Sequence, residues 1–450
     1  MVLPQIAFRL IPKKSPGLLV RNIDGNQFYA VNCFYPNSLR ILNSRQFDVL
    51  SAVDGKTDVS QLADRFGLDI PALQGYFAQL SETEIIRFDD RFSLPGKPDS
   101  TDALNLWIHT TNKCNLSCGY CYISTLQTTG GMTENVRLQL LQKLVETVSA
   151  KDITKIKLRF AGGEPLLQFK KWTDFICEAK AQLHKLGCAT EISFLTNLTI
   201  LNDEIISFAK AHDIGFGVSL DGVEQFQNQA RSFHSGNGTF ARVDQNLKRL
   251  VDSKIRVSVN TVVANENLEG LPDLTRYLID LHIPFRYSIV KGTWIDPELL
   301  EQRLSDVYEI AEAAIARGWR FSQKHQFCDL KPVELGFQTC ASGFSGGAIY
   351  VDGSMHYCHV HFGDDTQKSF SIFDEELDLV DMIEQGEHAE THRSSDCKIC
   401  KYRSVCTSGC PVYRVHGKDP QCSIYHKFIP RIYDLLAKER LKLLRDYQIM

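Results

Sequence analysis

The chain has 450 residues, of which 43% are apolar, and carries 50 Lys and Arg against 54 Asp and Glu for a formal net charge of −4. That length predicts two or three domains with ordinary cores. The weakly acidic balance argues against a general nucleic-acid binder, and no run of about 18 apolar residues offers a membrane span. The N-terminus has no charged region followed by an apolar stretch and a small-residue cleavage site, so the expectation is an unexported, cytoplasmic protein. Of 14 cysteines, ten fall in clusters with metal-type spacing. In a cytoplasmic chain that usage means metal or redox chemistry rather than disulfides.

Residues 1–95 read as a first unit. Strand-like runs at 17–21 and 27–31 precede two helical patterns at 58–66 and 70–80, with Asp58 and Asp69 as N-caps and Gly67 as a C-cap. A short strand at 85–88 leads to 91–94. Small strands with a helix–turn–helix predict a winged-helix-like module. The turn-rich stretch 94–102 reads as a linker.

Residues 103–325 form the second unit. Strands are predicted at 104–110, 155–160, 191–195, 215–220, 256–263 and 285–290, with helices at 134–148, 169–186, 203–212, 240–252 and 268–281. This alternation is a parallel β/α array with right-handed crossovers. Six units cannot close an eight-stranded barrel, so the fold class is α/β, a partial (β/α)6 barrel with an open side. Its chemistry belongs at the C-terminal ends of the strands. Residues 326–450 form a cysteine-rich third unit, short on regular pattern.

The functional signal starts after the first strand, where Cys114, Cys118 and Cys121 are separated by three and then two intervening residues. Three thiolates on one loop can hold three corners of a cubane iron–sulfur cluster and leave the fourth iron open. A reactive centre needs such an open position, whereas a structural site closes its sphere. Gly162-Gly163-Glu164-Pro165 follows strand two, Thr196-Asn197 strand three, and Ser219 and Asp221 strand four, while Asn260 and Thr261 lie late in strand five. Paired glycines allow close backbone approach to a ligand. Taken alone, Asn197 suits a helix N-cap, Asp221-Gly222 a turn and Arg231 an ion pair.

The cysteine spacing and the Gly-Gly-Glu-Pro run resemble the radical S-adenosylmethionine (SAM) superfamily, from about residue 104 to the C-terminal region. The resemblance implies a SAM-binding 4Fe–4S cluster on Cys114, Cys118 and Cys121. It implies that Gly162, Gly163, Glu164 and Pro165 receive the SAM amino group and that Tyr120 flanks the adenine. Asn197 and Ser219 would meet the ribose, and Arg231 the carboxylate region. The activity implied is reductive cleavage of SAM, fed by an external one-electron reductant, to a 5′-deoxyadenosyl radical that takes hydrogen from a substrate.

Farther along, Cys340 and Cys358 flank a turn at Asp352-Gly353, followed by Cys397, Cys400, Cys406, Cys410 and Cys422. Order and spacing resemble the SPASM extension of radical SAM enzymes, which implies two auxiliary 4Fe–4S clusters and three clusters in all. The family pattern gives Cys340, Cys358 and Cys410 to one and Cys397, Cys400, Cys406 and Cys422 to the other. Cys328 is either the fourth ligand of the first set or absent from it. By spacing alone, Cys397, Cys400, Cys406 and Cys410 also suit a zinc site. Cys33, Cys177 and Cys188 read as ordinary thiols.

The first unit resembles the leader-recognition element of ribosomal peptide maturases, in which a leader adds as a strand to the small sheet. Its 70–80 helix holds no Lys or Arg, against DNA binding. The expectation is therefore a radical SAM/SPASM maturase that cross-links a precursor peptide through carbon–carbon or thioether bonds, without nucleic-acid or membrane partners. The alternatives are a formylglycine-generating oxidase like the anaerobic sulfatase maturases and a non-enzymatic metal-binding regulator. In the sulfatase maturases an Asp follows the second SPASM cysteine; here His359 stands there.

Overall fold

A computed structural model describes residues 10–447, apart from 91, 127–129, 322–324, 331, 333–335 and 387–392. The reading of the extreme N-terminus falls on residues 1–9, outside that description, as does residue 91 of the 91–94 stretch. The chain divides into two compact units. One comprises residues 1–97, 304–339 and 392–450, the other 98–303 and 340–391. The cysteine-rich C-terminal third thus contributes to both.

In the first unit, Leu18–Asp24, Gln27–Asn32 and Arg40–Asn43 form an antiparallel three-stranded sheet. Gly25, at φ 52°, makes the tight turn between the first two. The helices that follow start where side chains can take orphan N–H groups. Asn43 and Gln46 build a capping box on Ser44–Ser51, and Asp58 and Gln61 build one on Val59–Phe66. Asp69 accepts from Ala72 N to open Ile70–Glu82. Leu50, Val59, Leu62, Leu73 and Phe77 close the core beneath the sheet. The long helix Cys422–Asp446 belongs to the same unit and is tied to the sheet. Tyr29 Oη donates to Asp434 Oδ1 at 2.9 Å, Arg21 Nε pairs with Asp434 at 3.2 Å, and Arg440 donates to the Leu39 carbonyl at 2.8 Å.

The second unit is built on one nine-stranded sheet. Its strands are β1 (Ala103–His109), β2 (Lys155–Ala161), β3 (Ala189–Thr196), β4 (Ile214–Ser219), β5 (Val257–Val263), β6 (Phe285–Ile289), β7 (Ala348–Ile349), β8 (Ser354–His356) and β9 (Ser369–Ser371). The order is β6-β5-β4-β3-β2-β1-β7-β8-β9. From β1 to β6 every pairing is parallel and in chain order, the arrangement of a partial (β/α)6 barrel. The helices α1 (Glu134–Ala150), α2 (Thr173–Lys185), α3 (Asp203–Ala211), α4 (Phe240–Asp252) and α5 (Leu271–Asp280) lie between the first six strands.

The strands alternate in burial. On β2, Ile156, Leu158 and Phe160 have no exposed surface, and Phe160 packs on Trp172 and Phe194 at 4.9 and 5.2 Å. Arg159 points to the other face, beside Trp107 of β1 and Ser193 of β3 in register. The helix expected over 169–186 is preceded by a separate 3-10 stretch, Pro165–Lys171, that breaks at Gln168. β7 extends the sheet parallel to β1, opposite Trp107 and Ile108. The expected turn between Cys340 and Cys358 forms at Gly353, φ 90°, with Asp352 Oδ1 accepting from Ser354 N at 2.8 Å. The helices Pro297–Ala316 and Cys422–Asp446 are absent from the sequence reading.

Candidate active site

The cysteine loop leaves β1 and is clamped from below. Gly163 N donates to the Thr111 carbonyl at 2.7 Å and Glu164 N to the Lys113 carbonyl at 2.9 Å. A Cβ on Gly162, at φ 135°, would overlap the Thr111 carbonyl, and one on Gly163 would sit 2.6 Å from the Lys113 carbonyl carbon. The paired glycines therefore let the β2 end lie directly against the chain that feeds Cys114. Glu164 is fully buried, and its carboxylate accepts from Leu166 N at 3.0 Å, Thr196 Oγ1 at 2.7 Å and Asn197 N at 2.8 Å. Burial, only partly offset by these donors, pushes its pKa up to about 7. The carboxylate thus welds the ends of β2 and β3 together.

The Asn197 side chain donates to Asn115 Oδ1 at 3.0 Å and to Cys114 Sγ at 3.8 Å, and its oxygen accepts from Thr199 N and Oγ1 at 2.9 and 2.7 Å. It braces the start of the cysteine loop. Ser219 is half-buried at the end of β4, opposite Asn260. The loop's middle, Leu116–Cys118, pairs antiparallel with Arg231–Phe233, setting Arg231 opposite Cys118. Arg231 Nε meets Asp221 Oδ2 at 2.7 Å, and the Tyr120 hydroxyl donates to the same oxygen. The guanidinium stands 5.3 Å from the Tyr120 ring centroid. Burial works against the Arg231 charge, but the Asp221 carboxylate more than offsets it and holds the group cationic.

By their chemistry the three thiols suit a cluster, while no group of three or more His, Cys, Asp or Glu among the described residues is arranged to hold a single metal ion. Cys114, Cys118 and Cys121 are each only partly buried. Burial raises the pKa of Cys114, and raises Cys118 to about 11, with the neighbouring cysteines adding to both shifts. Three neighbouring thiolates would need a cationic partner, which the iron of a cluster would supply.

Within the second unit, Cys340 lies on the surface and Cys358 is half-buried. His359 follows Cys358; its Nδ1 shares a hydrogen bond with the Tyr122 hydroxyl at 2.9 Å, and its ring stacks on Trp107 at 4.1 Å. Burial lowers its pKa to about 4. Nearby His109 is fully buried, bonded through Nε2 to Asn112 Oδ1 at 2.6 Å. In the first unit, Cys397, Cys400, Cys406 and Cys422 neighbour one another closely enough that the Cys422 thiol, raised mainly by burial, also feels Cys397 and Cys400. Cys406 feels Cys422 and Cys400 and is pushed up to about 12, again mainly by burial. His426 Nε2 lies 3.5 Å from Cys400 Sγ. Cys410 and the buried Cys328 also belong to this unit, and Cys328 sits near Tyr308 and Tyr425. Cys33, read as an ordinary thiol, is wholly buried beside Lys401 and Cys400.

Comparison with known proteins gives this arrangement a family. Residues 108–278 match the radical SAM superfamily. That segment therefore carries a radical SAM domain, whose superfamily uses SAM and a 4Fe–4S cluster, and the chain resembles the maturases of that superfamily. It is 22% identical over 344 residues to a cysteine-type anaerobic sulfatase-maturating enzyme of Clostridium perfringens, covering 70% of this chain and 92% of that one. An uncharacterised protein of Methanocaldococcus jannaschii is 29% identical over 178 residues, but the chain spans only 58% of its length. Among solved structures, native anSMEcpe with bound AdoMet shares the fold at TM-score 0.62 and 18% identity, over 75% of this chain and 99% of that one. Streptococcus suis SuiB bound to precursor peptide SuiA does so at TM-score 0.52 and 14% identity, over 91% and 99%. Among the described residues no helix is long and apolar enough to cross a membrane.

Proposed function

We propose that this protein is a peptide maturase that uses the SAM-derived radical to form a carbon–carbon or thioether cross-link in a ribosomally made precursor. The observation that carries the reading is the convergence of Cys114, Cys118 and Cys121 with Gly162-Gly163-Glu164-Pro165 and the Tyr120–Arg231 pair at the strand ends of one open barrel. When bound, the reduced cluster and SAM supply the 5′-deoxyadenosyl radical. The protein's residues hold and orient. Cys114, Cys118 and Cys121 ligate; the Gly162–Pro165 backbone takes the SAM amino group; Tyr120 flanks the adenine; Asn197 and Ser219 line the ribose; Arg231 takes the carboxylate.

In this reading residues 1–95 recognise the leader, 103–325 are the radical SAM barrel and 326–450 the SPASM segment. Cys340, Cys358 and Cys410 serve one auxiliary cluster, and Cys397, Cys400, Cys406 and Cys422 the other. Clusters held by those cysteines would supply an acceptor for the second electron, the reading calls for an external one-electron donor to the SAM cluster, and it places the enzyme in the cytoplasm without nucleic-acid or membrane partners.

The similarity to a sulfatase-maturating enzyme favours a second reading, oxidation of a Cys or Ser to formylglycine. One experiment separates the two: anaerobic co-expression with a peptide encoded beside the gene, followed by mass spectrometry. Loss of two hydrogens per site, with fragmentation blocked across a short ring, supports the cross-linking reading. An unchanged peptide, despite loaded clusters and SAM cleavage, rejects that peptide as substrate and shifts weight to formylglycine formation.

A further inference from the structure

We infer that Asp221 is a positioning residue that sets Tyr120 and Arg231 against bound SAM, and that the Tyr120 hydroxyl acts through this carboxylate. The inference rests on the proposed assignment of Tyr120 and Arg231 to the SAM site.

Asp221 follows β4 and is 1% exposed. It is immobilised on every side. Its N–H donates to Gln227 Oε1 at 2.8 Å, its carbonyl accepts from Asn267 Nδ2 at 2.8 Å, and its Oδ1 accepts from Val262 N of β5 at 2.9 Å. The remaining oxygen, Oδ2, takes both the Tyr120 hydroxyl and Arg231 Nε. One fixed carboxylate therefore fixes two side chains. Tyr120 comes from the cysteine loop itself, and Arg231 from the strand paired to that loop.

A turn role does not account for these contacts. A turn aspartate bonds its own backbone about two residues on. Here the partners lie 101, 10 and 41 residues away, and Gly222 is absent from the positive-φ glycines. Stability alone is a poor account too, because a buried ion pair gains little over a well-packed apolar one.

The geometry leaves a function for the pair. Arg231 spends Nε on Asp221, and no protein hydrogen bond to its Nη atoms occurs among the described residues. A guanidinium held by Nε presents its terminal fork to a carboxylate. The Tyr120 ring, 37% exposed, is held by its hydroxyl at a set angle beside that fork.

The test is SAM binding to cluster-loaded protein, by anaerobic equilibrium dialysis, with iron content and the SAM-induced change in the cluster EPR signal read in parallel. Asp221→Asn is expected to weaken SAM binding at least tenfold and blunt the EPR change, at normal iron loading. Tyr120→Phe, which keeps ring and carboxylate, is expected to weaken it about threefold. The double variant should bind no more weakly than Asp221→Asn alone, because the hydroxyl has already lost its charged partner. Wild-type affinity in Asp221→Asn, or fully additive losses, would overturn the inference. If Asp221→Asn does not fold or load, Tyr120→Phe decides it: wild-type affinity there sinks the proposal. Arg231→Ala and Tyr120→Ala test the underlying assignment. Unchanged binding in both means the SAM-site reading has failed; weakened binding in both beside a normal Asp221→Asn means only the positioning role has.

Discussion

Replacing Glu164 by Gln probes the joint between β2 and β3. The carboxyl is fully buried, and its pKa rises to about 7 from an ordinary 4.5, mainly through burial. An acid whose folded pKa is raised favours folding most below its unfolded pKa, and that contribution is lost as pH climbs through the folded value. A shift of that size corresponds to about 3 kcal/mol at about 1.4 kcal/mol per unit. Glu164→Gln cannot titrate. The wild type's stability relative to the variant should therefore fall by about 3 kcal/mol between pH 4.5 and pH 8. Against that runs the loss of an acceptor: the Gln NH₂ must face one of the donors Leu166 N, Thr196 Oγ1 or Asn197 N, at a cost of about 1–3 kcal/mol. Urea unfolding of both proteins without cluster, at half-unit pH steps, gives the difference directly. A flat difference, or one that rises with pH, refutes the burial argument.

Three further outcomes follow from packing. Gly163→Ala drives a methyl into the Lys113 carbonyl; overpacking of this kind costs about 1–3 kcal/mol, and iron content should fall because the displaced segment carries Cys114. Lys143→Met leaves the Asp374 and Leu377 carbonyls without the buried ammonium that now donates to them at 2.7 and 3.1 Å. It should destabilise the second unit by about 2–4 kcal/mol, seen in thermal unfolding, and a neutral result would contradict the contact. Tyr29→Phe removes the 2.9 Å hydrogen bond to Asp434 and should cost about 1–2 kcal/mol, measured by urea unfolding.

Much of the barrel was legible because each strand carries an apolar face that meets helices, as Ile156, Leu158 and Phe160 do on β2. Helix starts were legible where a cap announced them, as at Asp58 and Asp69. The helix Cys422–Asp446 was not, because Pro430 interrupts its pattern and the cysteines around it suggest irregular chain. Ser44–Ser51 was missed although Asn43 and Gln46 form a capping box, a signal the sequence does hold. At the site, the three cysteines and Gly162–Pro165 were readable from spacing. Asp221 is readable as a strand-end residue, but its partnership with Tyr120 is not. That bond spans 101 residues and depends on Leu116–Cys118 pairing with Arg231–Phe233, a contact no local pattern encodes. For the same reason the bond from Asn197 to Asn115, 82 residues away, is not readable, and the ribose contact expected of Asn197 comes from the family resemblance alone.

The most direct measurement is SAM cleavage by the anaerobically reconstituted, reduced protein, set beside a variant with Cys114, Cys118 and Cys121 all changed to Ala. The wild type should yield 5′-deoxyadenosine and methionine and the variant neither, with the iron of one cluster missing. No cleavage by fully loaded wild type, or equal cleavage by the variant, would contradict it.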